Sequence, residues 1–265
     1  MNLMDNVSRM KEEGYSEANA EAKLCQDIII KAISDSSLSR NVTIKGGVVM
    51  RSLSGDVRRA TQDIDLDFIR YSISEESIKL FVDKLNCLNG IQMEIDAPIE
   101  ELKHQDYKGK RVHIKISDEE GNALSVKVDI GVHKDLDIEQ EEYCFDVCFQ
   151  EDSASVLINS KAQMITEKLK SLMRFGTRST RYKDVFDICY LSDTVDMDKL
   201  RHCIKTYIFN DSTISVSDME EIRKRAERVF KNSTYKKQVE RSKKNWLDLS
   251  VDEVLKKDLE FIYKI

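Results

Sequence analysis

The chain has 265 residues, with 42 Lys and Arg against 48 Asp and Glu, for a formal net charge of −6. Hydrophobic residues make up 41% and charged residues 34%, which is enough apolar material for a core and excludes disorder over the whole length. No apolar run approaches the roughly 20 residues of a membrane span, and MNLMDNVSRMKEEGY does not read as a secretory signal, so a cytoplasmic protein is expected. The length suits a catalytic-sized core with a substantial appended subdomain.

The first forty residues read as helical, with apolar positions at helical spacing through KEEGYSEANAEAKLCQDIIIKAIS. VTIKGG follows as a short strand ending in a Gly pair, then VVMRSL as a short helix. DIDLDFIR alternates with period two, the signature of a strand. Ser74, followed by Glu75 and Glu76, opens an amphipathic helix through IKLFVDKLNCL. IQMEI, RVHIKIS and ALSVKVDIGV read as strands, the last two joined by a DEEGN hairpin, and EEYCFDVCF as one more. From about Ser160 the pattern is helical to the end, with loops near GTRST, FNDST and KNSTY. The expected division is an N-terminal helical segment over 1–40, a mixed α/β core over 41–158 and a helical subdomain over 159–265.

Six cysteines (Cys25, Cys87, Cys144, Cys148, Cys189, Cys203) form no CxxC and are expected to be reduced thiols that mostly pack in the interior. The histidines His104, His113, His133 and His202 do not join them at zinc-ligand spacing.

The informative segment runs from Lys45-Gly46-Gly47 through Arg51 to Thr61-Gln62-Asp63-Ile64-Asp65-Leu66-Asp67. On a strand, Asp63, Asp65 and Asp67 project to one face, and Ile64, Leu66 and Phe68 to the other, toward the core. Like charges on one face repel unless cations neutralise them. Carboxylates fixed on a strand suit Mg²⁺, a hard cation that takes oxygen ligands. The Gly pair lets backbone approach a polyphosphate closely. Taken alone, DxDxD also fits an edge strand with a solvated acidic face. Asp129, in the apolar run Lys127-Val128-Asp129-Ile130, is a candidate third metal ligand or acceptor of a proton from an attacking hydroxyl; a surface Asp at the strand end is the other reading.

This pattern resembles the DNA polymerase β-like nucleotidyltransferase superfamily, which carries GG or GS, then an hDhDh strand, then a later acidic strand residue. More closely it resembles the AbiEii toxin family, the nucleotidyltransferase half of bacterial type IV toxin–antitoxin and abortive-infection systems. Lys45, Gly46, Gly47, Arg51, Thr61, Asp63, Asp65, Asp67 and Phe68 match that family's first block. Thr166-Glu167-Lys168-Leu169, Arg174, Arg181, Lys183 and Asp184-Val185-Phe186-Asp187 match its second. Val48 replaces the usual small residue, and the loop before the acidic strand is the basic Val57-Arg58-Arg59-Ala60.

The resemblance implies an α+β nucleotidyltransferase fold, a small mixed β-sheet flanked by helices, with a C-terminal helical subdomain. It implies metal-dependent transfer of a nucleoside monophosphate from an NTP to an acceptor hydroxyl, the 3′ end of tRNA. Asp63, Asp65 and Asp129 would hold two Mg²⁺ ions. Gly46 and Gly47 would cradle the phosphates with Thr61, Lys45 and Arg51, and Lys168 would neutralise triphosphate charge. Lys168 also reads as a snorkelling surface lysine. Asp184, of unresolved role, and Asp187 stand one turn apart and also fit helix capping or a bridge to Arg174. The implied partner is a separately encoded antitoxin of the transcription-repressor type.

Residues 222–245 hold ten basic residues (Arg223, Lys224, Arg225, Arg228, Lys231, Lys236, Lys237, Arg241, Lys243, Lys244) against Glu227 and Glu240. With Tyr235 and Trp246 in and beside it, the stretch suits phosphate contacts to RNA, or else is a solvated helix face. It weighs against a nucleotidyltransferase that modifies a protein or small molecule. The complete Asp63, Asp65 and Asp129 set weighs against a catalytically dead binding protein.

Overall fold

The computed structural model describes residues 1–102 and 109–265; His104 lies outside the described residues. The chain divides into two compact units, Met1–Asn159 and Ser160–Ile265.

The first unit is built on an eight-stranded mixed sheet. Its strands are β1 (Val42–Lys45), β2 (Ile64–Ile69), β3 (Ile91–Ile95), β4 (Glu100–Leu102), β5 (Gly109–Asp118), β6 (Ala123–His133), β7 (Glu141–Phe145) and β8 (Ala154–Ile158). The order is β3-β5-β6-β2-β1-β8-β7, with β4 on β5. The acidic strand β2 is therefore central: it runs antiparallel to β1 and parallel to β6. This removes the edge-strand reading of DxDxD.

Helices α1 (Leu3–Glu12), α2 (Glu17–Asp35), α3 (Gly46–Ser54) and α4 (Glu75–Leu85) complete the unit. The period-two pattern of β2 sends Ile64, Leu66 and Phe68 into the core, each with no exposed surface. Phe68 meets Phe81 of α4 with ring centroids 5.1 Å apart. Ile28, Ile29, Ile30 and Ile33 of α2 are fully buried, and α2 packs on β6 and β8. Ser74 caps α4 by accepting from the Ser77 amide, as its position before Glu75 and Glu76 predicts.

Three local expectations change. The strand expected over EEYCFDVCF stops at Phe145. The strands Glu100–Leu102 and Ala154–Ile158 were not foreseen. The helix after β1 starts at Gly46 itself, so the Gly pair forms the first turn of α3 rather than the end of the strand.

The second unit is helical: α5 (Lys161–Phe175), α6 (Lys183–Leu191), α7 (Met197–Ile204), α8 (Met219–Phe230), α9 (Ser233–Arg241) and α10 (Val251–Lys264). Ser160 caps α5, and Ser250 with Glu253 forms a reciprocal capping box on α10. All six cysteines are free. Cys25, Cys189 and Cys203 are buried, and burial pushes the thiols of Cys25 and Cys189 up to about 12 and that of Cys203 to about 11. Cys87 and Cys144 are exposed and Cys148 half-buried, so the interior packing expected of the cysteines holds for three of the six.

Candidate active site

Strand register assembles one charged row across four adjacent strands. Lys45 of β1 opposes Asp65 of β2, Asp65 opposes Asp129 of β6, and Asp129 opposes Arg111 of β5. Directly opposed residues in a sheet share a face, so the row reads cation, carboxylate, carboxylate, cation. Asp63 and Lys127 lie two residues before Asp65 and Asp129, and Asp67 two residues after Asp65, all on that face.

Asp129, Asp67 and Asp63 each meet a cation. Arg111 grips Asp129 with Nε to Oδ1 at 2.7 Å and a terminal nitrogen to Oδ2 at 2.8 Å. Lys45 Nζ lies 2.7 Å from Asp67 Oδ1, and Lys127 Nζ lies 2.9 Å from Asp63 Oδ1. Hydrogen bonding to Asp129 raises the Arg111 pKa further above its ordinary range. These pairs answer the repulsion that the run of like charges would otherwise impose.

Gly46 and Gly47 open α3 beside this row. Gly46 has φ +68, and a Cβ there would overlap Asp65 Oδ2. A Cβ at Gly47 would lie 2.6 Å from Thr61 Oγ1. Neither position accepts a side chain, so the first-turn amides of α3 come close to Asp65 and Thr61. A helix N-terminus of this kind attracts anions.

Two adjacent residues of α2 brace the site, and sequence reading missed both. Gln26 donates from Nε2 to the Thr61 carbonyl at 2.9 Å, fixing the segment that leads into β2. Asp27 accepts from Arg51 of α3 at 2.8 Å and from Lys23 at 2.6 Å. Burial pushes the Asp27 carboxyl up, but Arg51 and Lys23 more than reverse this and hold it below the ordinary range. A polar pair inside the apolar run LCQDIII was the available signal, because buried polar groups need partners. Arg51 was expected at the nucleotide; instead it is 6% exposed and turned toward Asp27. Its place ties α3 to α2.

Among the described residues, no group of three or more His, Cys, Asp or Glu side chains is close enough together to hold a metal ion. The three-carboxylate set Asp63, Asp65 and Asp129 is thus not gathered as expected, because Lys127 engages Asp63 and Arg111 engages Asp129. The opposed pair Asp65 and Asp129 still offers an all-oxygen donor set. That suits Mg²⁺, which commonly takes one or two carboxylates together with substrate phosphates and water.

In the second unit, Lys168 is 8% exposed. Its Nζ donates to Asp187 Oδ2 at 2.7 Å and to Asp184 Oδ1 at 3.3 Å. Trp246 Nε1 donates to Asp187 Oδ1 at 3.2 Å, and Arg181 Nε to Asp184 Oδ2 at 2.9 Å. The second block of the motif is therefore a closed polar network, and the snorkelling reading of Lys168 does not hold. Arg174 reaches Asp211 and Thr213. In the basic stretch, Arg228, Lys237, Arg241, Lys243 and Lys244 are exposed and make no ion pair among the described residues. Arg225 and Lys231 pair with Glu221 and Glu227 along α8, and Lys236 with Asp252.

A central acidic strand entered from a glycine-started helix, in a mixed sheet flanked by helices, defines a nucleotidyltransferase. The sequence matches the family model described as "Nucleotidyl transferase AbiEii toxin, Type IV TA system" over residues 28–257. The chain belongs to that family. Among solved structures, an antigenic nucleotidyltransferase-like protein from Paracoccidioides brasiliensis aligns with a TM-score of 0.41 at 16% identity, covering 80% of this chain and 97% of that one. Comparison with curated proteins gives no match. No helix among the described residues is long and apolar enough to cross a membrane.

Proposed function

We propose that the first unit transfers a nucleoside monophosphate from an NTP to the 3′ hydroxyl of an RNA, with tRNA as the acceptor, and that Mg²⁺ is required. The observation that carries this reading is the opposed pair Asp65 and Asp129 beside the glycine start of α3. In the reaction the acceptor oxygen bonds to the α-phosphorus, the bond from that phosphorus to pyrophosphate breaks, and the hydroxyl proton leaves. Asp129 is placed to accept that proton. Asp65 and Asp129 would hold the metal, with Asp63 the outer carboxylate at the entry of the same strand. When bound, divalent ions stabilise the attacking and leaving oxygens of such an in-line displacement.

The chain's own residues do the rest. The first-turn amides of α3 at Gly46 and Gly47 receive phosphate oxygens, with the Thr61 hydroxyl beside them. Lys45 lies next to Asp65 in the row and supplies positive charge at the same mouth. Arg51 contributes by fixing α3, through Asp27, rather than by touching phosphate.

The exposed cations Arg228, Lys237, Arg241, Lys243 and Lys244 suit contacts to an RNA backbone, which are salt-dependent. The activity belongs in the cytoplasm and is that of a toxin opposed by a separately encoded antitoxin of the transcription-repressor type. Incubating the protein with each labelled NTP, Mg²⁺ and total cellular RNA tests the reading. Label transferred to tRNA supports it; label appearing only on protein, or none with any NTP, rejects it.

A further inference from the structure

The grip of Arg111 on Asp129 has a consequence for how ligands enter. Both oxygens of Asp129 are engaged by one planar fork. A carboxylate held in this way has one lone pair of each oxygen committed to the guanidinium, so a metal ion competes with Arg111 for it. Arg111 is the partly open member of the pair, with its side chain 30% exposed against 13% for Asp129. A long side chain at the rim of the sheet face can swing away without disturbing β5.

Charge balance says where it would go. Around the opposed pair the face carries Asp63, Asp65, Asp67 and Asp129, with Glu100 of β4 opposite Arg111, against Lys45, Arg111 and Lys127: five carboxylates to three cations, a net of two negative charges. A divalent cation offsets that charge and, on taking Asp129, leaves Arg111 without that carboxylate. An NTP triphosphate is the strongly anionic group due at the same place. Arg111 holds a carboxylate of the opposed pair through a two-point grip. Its fork matches phosphate oxygens as well as it matches a carboxylate. Lys45 is bound to the buried Asp67, and Lys127 makes a more exposed pair with the outer Asp63.

We infer that Arg111 is an exchangeable clamp: it holds Asp129 until a divalent cation takes that carboxylate, and the released guanidinium then binds the triphosphate. Metal and nucleotide binding are thereby coupled through one side chain. The inference rests on the metal-dependent reading above and adds a positioning residue that the family motif does not contain.

The test measures binding, not turnover. Mn²⁺ affinity is read by the paramagnetic resonance signal of free Mn²⁺, with and without a nucleotide analogue whose α,β-bridge is methylene. Nucleotide affinity is read with and without Mn²⁺. The proteins are wild type, Arg111→Ala, Arg111→Lys and Asp65→Asn, each checked for an intact fold by circular dichroism. Arg111→Ala should bind Mn²⁺ alone about tenfold more tightly. It should bind the analogue in Mn²⁺ about ten- to a hundredfold more weakly, the range expected for a lost charge-assisted contact. The mutual enhancement of the two ligands, which is reciprocal in wild type, should disappear. Arg111→Lys should keep part of the nucleotide affinity and of the coupling. Unchanged affinity for either ligand in Arg111→Ala overturns the clamp, provided wild type binds Mn²⁺ and Asp65→Asn does not. If no protein binds Mn²⁺, with or without the analogue, the metal reading itself fails and the clamp falls with it.

Discussion

Asp65 and Asp129 stand directly opposite each other on the parallel pair β2 and β6, with Lys45 and Arg111 flanking them in the same row. Two carboxylates in cross-strand register cost stability unless they are balanced, since like charges directly opposed repel. The fold keeps them together at the centre of the sheet and places a cation on each side of the pair. Such an arrangement is hard to explain by stability alone and easy to explain as a site for cations and phosphate.

The first prediction follows from that row. Asp65→Ala should abolish nucleotide transfer while leaving the thermal melting temperature unchanged or slightly raised, because one of two opposed negative charges is removed. Thermal melting and transfer of labelled NMP are measured on the same preparation. Full transfer activity in a well-folded Asp65→Ala protein would remove the acidic row from the chemistry.

The glycine that starts α3 gives the second. At Gly46 the backbone has φ +68, and a Cβ would overlap the Asp65 carboxylate. Gly46→Ala should therefore cost about 1 kcal/mol for the left-handed backbone alone. It should also displace Asp65 and reduce transfer far more than that stability loss explains. Gly55→Ala serves as the control, since φ there is also positive (+64) and nothing lies near its Cβ. Equal effects of the two changes on transfer would show that Gly46 matters for backbone strain only.

How much of this could be read from the chain depends on the range of the interaction. The acidic strand and its core-facing residues Ile64, Leu66 and Phe68 follow from a local period of two, and the Gly pair stands out because glycines are scarce. Strand β8 was missed because Ala154–Ile158 is a short run leading straight into the α5 cap; antiparallel pairing with β7 along its whole length, and parallel pairing with the distant β1, make it a strand. Arg111 looked like one polar residue among several in an alternating strand. Only the β5–β6 register gives it Asp129 as a partner. Arg51 matched the motif, yet the motif does not say which way its side chain turns; the buried Asp27 on α2 decides that.

A buried acid in the helical unit supplies a pH-dependent prediction. Asp258 has no exposed surface, and neither carboxylate oxygen has a hydrogen-bond partner among the described residues. Burial raises its pKa well above the ordinary value, only partly opposed by Lys257. A carboxyl that ionises less readily in the folded state binds more protons there than in the unfolded chain. Its contribution to stability is therefore largest in acid and declines as pH rises above the ordinary Asp range near 3.8. Asp258→Leu should raise stability at pH 7 by about 1–3 kcal/mol, the usual desolvation cost of an unsatisfied buried polar group. The gain should shrink toward zero below about pH 4. Urea unfolding at both pH values checks this, and a gain that does not depend on pH would mean that Asp258 is not ionising in that range.

Lys168 offers the sharpest separation of structure from chemistry. Its ammonium bridges Asp184 and Asp187, and Asp187 has no exposed surface and also accepts from Trp246 Nε1. Lys168→Ala should remove the ammonium from the buried Asp187 and cost about 3–5 kcal/mol. Replacing both partners with apolar residues of similar size, as in Lys168→Met with Asp187→Leu, should recover most of that loss, since a buried ion pair exchanged for packed hydrophobes is often neutral. Urea unfolding of both variants checks the stability, and the double variant then gives a folded protein without the lysine. If Lys168 also neutralises triphosphate charge, as the family motif implies, single-turnover transfer by that variant should be roughly ten- to a hundredfold slower at saturating NTP. A wild-type rate in the stable double variant would confine Lys168 to joining α5 and α6, and the second block of the motif would then be structural.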